Sequence, residues 1–186
     1  MGNLKPGLHL RQRDGISCGP SVAVLAAAML RPDYGTALRE AGAASWFDAE
    51  QLRVHRSANM VWPRRLGMTP AGLAGVINEH SLVGYRWRLC RGLLGGRTEP
   101  LSDVMVALRS GLPVPMLVGG VIPRHWVLFV GVGAGERELR CYEPTSGAIR
   151  SVDVEAVRGA RLTGLGYRRP FAFVVPGRPG PGTHCA

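Results

Sequence analysis

Cys18 and His125 are the two residues whose types and surroundings could support nucleophilic catalysis in this chain. Cys18 lies in Gln12-Arg-Asp-Gly-Ile-Ser-Cys18-Gly-Pro-Ser21, which runs straight into Val-Ala-Val-Leu-Ala-Ala-Ala-Met. A thiol there stands at the mouth of an expected helix, where unpaired N–H groups and the helix dipole favour the thiolate. A cysteine nucleophile also needs an imidazole to take its proton and a third group to orient that imidazole. His125 opens the run His-Trp-Val-Leu-Phe-Val130, an expected strand from whose edge the ring projects while Trp126 points the other way. The following strand ends in Tyr142-Glu143-Pro-Thr-Ser-Gly147, and a hairpin turn at Gly133–Glu136 would bring Glu143 to the same open end as His125. Glu143 is therefore the candidate acceptor for the imidazole N–H.

Each of these residues has a plain structural reading when taken alone. A cysteine at a helix start is usually an inert buried thiol. A histidine on an apolar strand is often a core residue bonded to a carbonyl, and Glu-Pro-x-x-Gly is a serviceable turn. Their joint order and spacing argue for a site.

The elements that must hold them are readable in outline. Ser17 to Leu30 is apolar nearly all round and predicts a buried central helix, stopped by Arg31-Pro32. Asp33 is expected to cap a short helix through Glu40. The stretch from Ala43 to Pro70, with Trp46 and Trp62, reads only as loosely helical. Thr69-Pro70 predicts a helix start carrying Ala71 to His80, and Val83 to Leu89 a strand with Tyr85 and Trp87 on one face. A glycine-rich loop follows over Gly92–Pro100, then a helix capped by Ser102 and running to Ser110. Strands are expected over Val114–Val118, Trp126–Val132, Glu138–Tyr142 and Phe171–Val175. Helices first and antiparallel strands second make an α+β arrangement. Residues 1–175 read as one domain and 176–186 as a disordered tail.

Composition bounds the function classes. The chain has 186 residues, 46% hydrophobic with mean hydropathy near zero, as in a globular protein with one sizeable core. Apolar runs such as Val22–Leu30 are too short to span a bilayer, and the first residues lack a secretory core, so a cytoplasmic protein is expected. Gly2 does not make a myristoylation signal, because Pro6 stands where Ser or Thr is needed. Cys18, Cys90, Cys141 and Cys185 have no zinc-type spacing, so neither a metal nor a cofactor is expected. Cys90 and Cys141 read as buried and inert. The net charge of +10 is carried almost wholly by arginine, Lys5 being the only lysine. Basic clusters at Arg64-Arg65, Arg86-Trp87-Arg88 and Arg168-Arg169 are short and carry few aromatics, so nucleic-acid binding is not expected; an acidic partner or substrate surface fits better.

Gln, five residues and Cys-Gly-Pro-Ser on a helix, then His-Trp-Val with an apolar run to Val-Gly, then acidic-Pro-x-x-Gly, resembles the papain-like cysteine peptidases. The branch it most resembles is that of the bacteriocin-leader-processing (double-glycine) peptidases and their stand-alone relatives. The resemblance extends in order and spacing to about Gly147 and is vague between Pro32 and Leu101. It implies a papain-like fold, with the nucleophile helix among N-terminal helices packed on a C-terminal antiparallel sheet. It further implies Cys18 as nucleophile, His125 as general base, and Gln12 sharing an oxyanion hole with the Cys18 N–H. Glu143 takes the place where most relatives have Asp or Asn, and is one methylene longer.

The expected activity is peptide-bond cleavage by a Cys-His-Glu triad through a thioester, on a peptide or protein substrate. Two other outcomes are compatible with the same residues. One is acyl transfer or glutamine deamidation; the other is a non-catalytic peptide-binding module.

Overall fold

The computed structural model describes residues 10–58, 67–90 and 101–177. Its element order is α1 (Cys18–Leu30), a 3₁₀ turn (Thr36–Arg39), α2 (Ala43–Ala58), α3 (Pro70–Asn78), β1 (Tyr85–Leu89), α4 (Leu101–Arg109), β2 (Val114–Gly119), β3 (Pro123–Val132), β4 (Glu138–Glu143), β5 (Ala148–Asp153), α5 (Val154–Arg158) and β6 (Arg169–Pro176). The six strands form one sheet in the order β1-β6-β2-β3-β4-β5, every neighbouring pair antiparallel. The chain is thus α+β, as expected.

Strand alternation sorts the sheet's side chains into two cores. Trp126, Leu128 and Val130 of β3, with Tyr142 and Val174, pack against α1, α2 and α3. Val127 and Phe129 of the same strand, with Leu139, Cys141, Phe173 and Val175, pack against α4 and α5. Helix α1 is the centre of the first core; Val22 to Ala27 are almost wholly buried, which is why it has no polar face. Pro20 sits in its first turn, where no N–H is needed. Arg31 leaves the helix in extended conformation ahead of Pro32.

Several details differ from expectation. The stretch after Ala43 is a regular helix of 16 residues, buried along Phe47, Gln51, Val54 and His55. Asp33 and Ser102 are not helix caps. Gly35 precedes the 3₁₀ turn, Asp33 offering its carbonyl to Thr36, and α4 already includes Leu101. Cys90 lies just past β1 and is half-buried rather than buried. Strand β5 and α5 were not anticipated. β5 is a largely exposed edge strand with little alternation, and α5 is a single short turn capped by the Asp153 carboxylate on the Ala156 N–H. Helices do not all precede the sheet, because β1 enters it between α3 and α4 and pairs with β6 at the far end of the chain. Pro176 closes β6 rather than opening a tail. The expected loop over Gly92–Pro100 and the expected tail beyond 177 lie outside the described residues.

Candidate functional site

His125 and Glu143 come together as the hairpin argument requires. β3 and β4 pair from Val132↔Leu139 to Leu128↔Tyr142, so both residues lie at the end away from the turn. Alternation puts His125 on the face of Val127 and Phe129, and Glu143 on that of Leu139 and Cys141. The His125 Nε2 and the Glu143 Oε1 are 3.0 Å apart, and both residues are buried. The carboxylate also accepts the N–H groups of Thr145 and Ser146, each at 2.9 Å. Burial alone would push its pKa up, but those turn hydrogen bonds outweigh it and hold the carboxyl at about 2. An ionised acceptor fixes the tautomer: Nε2 carries the proton, and Nδ1 is left as the basic nitrogen. Burial lowers the His125 pKa more than the Glu143 contact raises it, so the ring is neutral at pH 7. The ring of Tyr167 stacks on the imidazole, with centroids 5.1 Å apart and planes 13° from parallel.

Cys18 is the first residue of α1 and is buried. The backbone N–H groups of Trp126 on β3, the residue after His125, and of Gly19 and Cys18 itself act on its thiol to favour the thiolate. The last two are donors that a helix mouth offers. They do not decide the thiol's state: burial pushes the pKa up by more than they pull it down, and the Glu143 charge adds to the rise. The expectation of a thiolate favoured by position alone is therefore corrected. Ionisation of Cys18 needs a proton acceptor.

Two glycines show how tightly this region is assembled. A Cβ on Gly19 would stand 2.6 Å from the Met68 Cβ and 3.3 Å from the Trp126 ring, so only glycine lets residues 67–69 cross the start of α1. The Trp126 Nε1 fixes that crossing by donating to the Met68 carbonyl at 2.9 Å. Gly147 has φ +69, and a Cβ there would lie 2.8 Å from the Leu10 carbonyl oxygen. The turn after Glu143 thus lies directly against the segment carrying Gln12. That seam is closed by the Gln12 N–H on the Pro144 carbonyl (2.7 Å), Arg11 Nε on the Ser146 carbonyl (3.1 Å) and the Tyr142 hydroxyl on the Leu10 carbonyl (2.6 Å).

Gln12 is half-buried at this seam, beside the Glu143 turn. Its Nε2 donates to the Asp14 carbonyl at 2.7 Å, and its Oε1 lies 3.4 Å from the Thr145 hydroxyl. One hydrogen of the carboxamide is thereby committed within the loop, and the other has no acceptor among the described residues.

Several contributors were not read from the sequence as supports of the site. Gln51, buried on α2, accepts from the Arg13 N–H (3.0 Å) and the Ser21 hydroxyl (2.6 Å), and donates to the Arg11 carbonyl (3.1 Å). It thereby joins α1, α2 and the Gln12 segment. Arg169 supports the β2–β3 hairpin by donating to the Gly120 and Val121 carbonyls, each at 3.1 Å, behind the exposed Val121 and Ile122. Tyr167 gave no signal, since an aromatic in a loop between β5 and β6 has no periodicity to read. Cys141 is fully buried, with its pKa raised by that burial. Among the described residues no group of three or more His, Cys, Asp or Glu is placed to hold a metal ion, and no helix is long and apolar enough to cross a membrane.

Comparison with protein-family models and with curated proteins finds no match for the chain.

Proposed function

We propose that this protein is a cytoplasmic cysteine peptidase of papain-like fold that acts on a peptide or protein substrate through Cys18, His125 and Glu143. The observation that carries the reading is the buried His125–Glu143 pair at 3.0 Å across β3 and β4, with the Trp126 N–H next to His125 acting on the Cys18 thiol. Glu143 holds the Nε2 proton, so Nδ1 is the nitrogen that takes the proton from the thiol. The sulfur then attacks the carbonyl carbon, and the oxyanion meets the Cys18 N–H and the free hydrogen of Gln12 Nε2, a contribution of about 3 kcal/mol per donor. The imidazolium returns its proton to the leaving amine, and water hydrolyses the thioester.

Burial of Cys18 favours a second reading, a peptide-binding module in which the cleft persists without chemistry. Iodoacetamide labelling followed by mass spectrometry separates the two. Catalysis requires that Cys18 react near neutral pH well ahead of Cys90 and Cys141, and that His125→Ala slow it by about a hundredfold. Labelling of Cys18 no faster than that of the other thiols would sink the peptidase reading. Cleavage of a peptide library by wild type but not by Cys18→Ala then gives the specificity. Ammonia release without chain cleavage would move the assignment to deamidation.

A further inference from the structure

The backbone of β1 alternates in the direction of its hydrogen bonds. The Gly84 carbonyl accepts from the Gly177 N–H (2.6 Å) and the Cys90 N–H donates to the Phe171 carbonyl (2.9 Å), so the even-numbered residues here turn their peptide groups toward β6. Tyr85, Trp87 and Leu89 turn theirs outward. Tyr85 is closed off by the Asn78 side chain, which accepts from its N–H (2.6 Å) and donates to its carbonyl (3.0 Å) in place of a neighbouring strand. Trp87 and Leu89 have no such cover among the described residues, because β1 is the end strand of the sheet.

Side chains sharpen the point. Trp87 is 48% and Leu89 59% exposed, and with Leu82 and Val83 they make up half of the eight exposed large apolar residues among those described. On the opposite face of the strand stand Arg86 and Arg88. Arg88 is 3.8 Å from Asp103 on α4, and Arg86 has no acidic partner among the described residues. An edge with unpaired peptide groups, apolar side chains on one face and guanidinium groups on the other has the chemistry that accepts an added strand.

We propose that the outer edge of β1 docks an extended acidic segment of a partner protein, which joins the sheet as a seventh strand. Its apolar side chains lie over Trp87 and Leu89, and its carboxylates meet Arg86 and Arg88. Charge selects this occupant over a second copy of the chain. Edge-to-edge pairing of two β1 strands would bring four arginines together in a dimer whose subunits each carry +10. β1 is three strand spacings from β3, about 14 Å, so this edge is separate from the His125 site.

A short blocked peptide of alternating Glu and Val is the probe, with its Lys–Val counterpart as control. The acidic peptide is expected to bind, to slow hydrogen exchange at the Trp87 and Leu89 amides, and to weaken as salt is added. Leu89→Pro removes an outward N–H while leaving the β6 pairing intact, and should weaken binding about tenfold. Arg86→Glu, which needs no backbone tolerance, should reverse the preference toward the Lys–Val peptide. Cys18→Ala should bind as tightly as wild type, so a failed peptidase reading leaves this outcome untouched. Equal binding of both peptides, protection that falls elsewhere, or wild-type dimers abolished by Leu89→Pro would overturn the proposal.

Discussion

Replacing Glu143 by Gln preserves the side chain's length and shape and removes its charge. In the native protein the carboxylate receives the His125 Nε2–H at 3.0 Å and the Thr145 and Ser146 N–H groups at 2.9 Å. A glutamine Oε1 can serve His125 and Thr145, but its amide then faces the Ser146 N–H donor against donor. The native carboxyl sits at about 2, against an ordinary value of 4.5. A depression of that size is at most about 3–4 kcal/mol, and solvent screening through the exposed Thr145 and half-buried Ser146 of the donor turn reduces it to about 1–2 kcal/mol. Because the folded-state pKa lies below the unfolded one, this stability is fully present above about 4.5 and is lost as pH falls through about 2. Urea unfolding of wild type and Glu143→Gln should therefore differ by about 1–2 kcal/mol at pH 7. The gap should close as pH drops through that window, since a protonated Glu143 also turns a donor toward the turn. A gap that stays constant or widens in acid would refute the account of what holds this carboxylate.

Gly19→Ala must push a methyl into Met68 and Trp126, and is expected to lower stability by about 1–3 kcal/mol in thermal or denaturant unfolding. Gln51→Leu strips the Arg13 N–H and the Arg11 carbonyl of their side-chain partner. It should cost about 1–3 kcal/mol in the same assay, and a neutral result would show that water replaces the amide. Tyr167→Ala removes the stacked ring and admits water to His125. Since burial is what lowers that pKa, the His125 titration followed by NMR should move up; a downward shift would show that Tyr167 is not what keeps the ring dry.

What the sequence disclosed and what it hid follow from the range of the interactions involved. Helix α1 and strands β2 to β4 were legible because each buries a regular pattern, and the β3–β4 register made the His125–Glu143 encounter derivable from the position of a turn. The helix over Ala43–Ala58 was blurred because its buried positions include the polar residues Gln51 and His55, and the partners of Gln51 lie 30–40 residues back along the chain. Strand β5 hid for the opposite reason, being an edge with little buried surface to impose alternation. The state of Cys18 was misjudged because position at a helix end is local, whereas its burial is supplied by Trp126 and the rest of the first core. Gly19 and Gly147 stood in the motifs from the outset, yet their necessity became visible only with Met68 and Leu10 beside them.

The seam between residues 10–12 and the turn at 144–147 has a consequence for the order of events during synthesis. Tyr142 is 132 residues from Leu10, and Arg11 is 135 from Ser146, so these bonds close some of the longest loops in the chain. Such contacts form late, after the closure entropy of the intervening chain has been met by other structure. A growing polypeptide displays the Cys18 segment long before β4 is made, but Gln12 gains its backbone anchor only after Pro144 has left the ribosome. Of the four proposed site residues, the one made first is therefore among the last to be set in place.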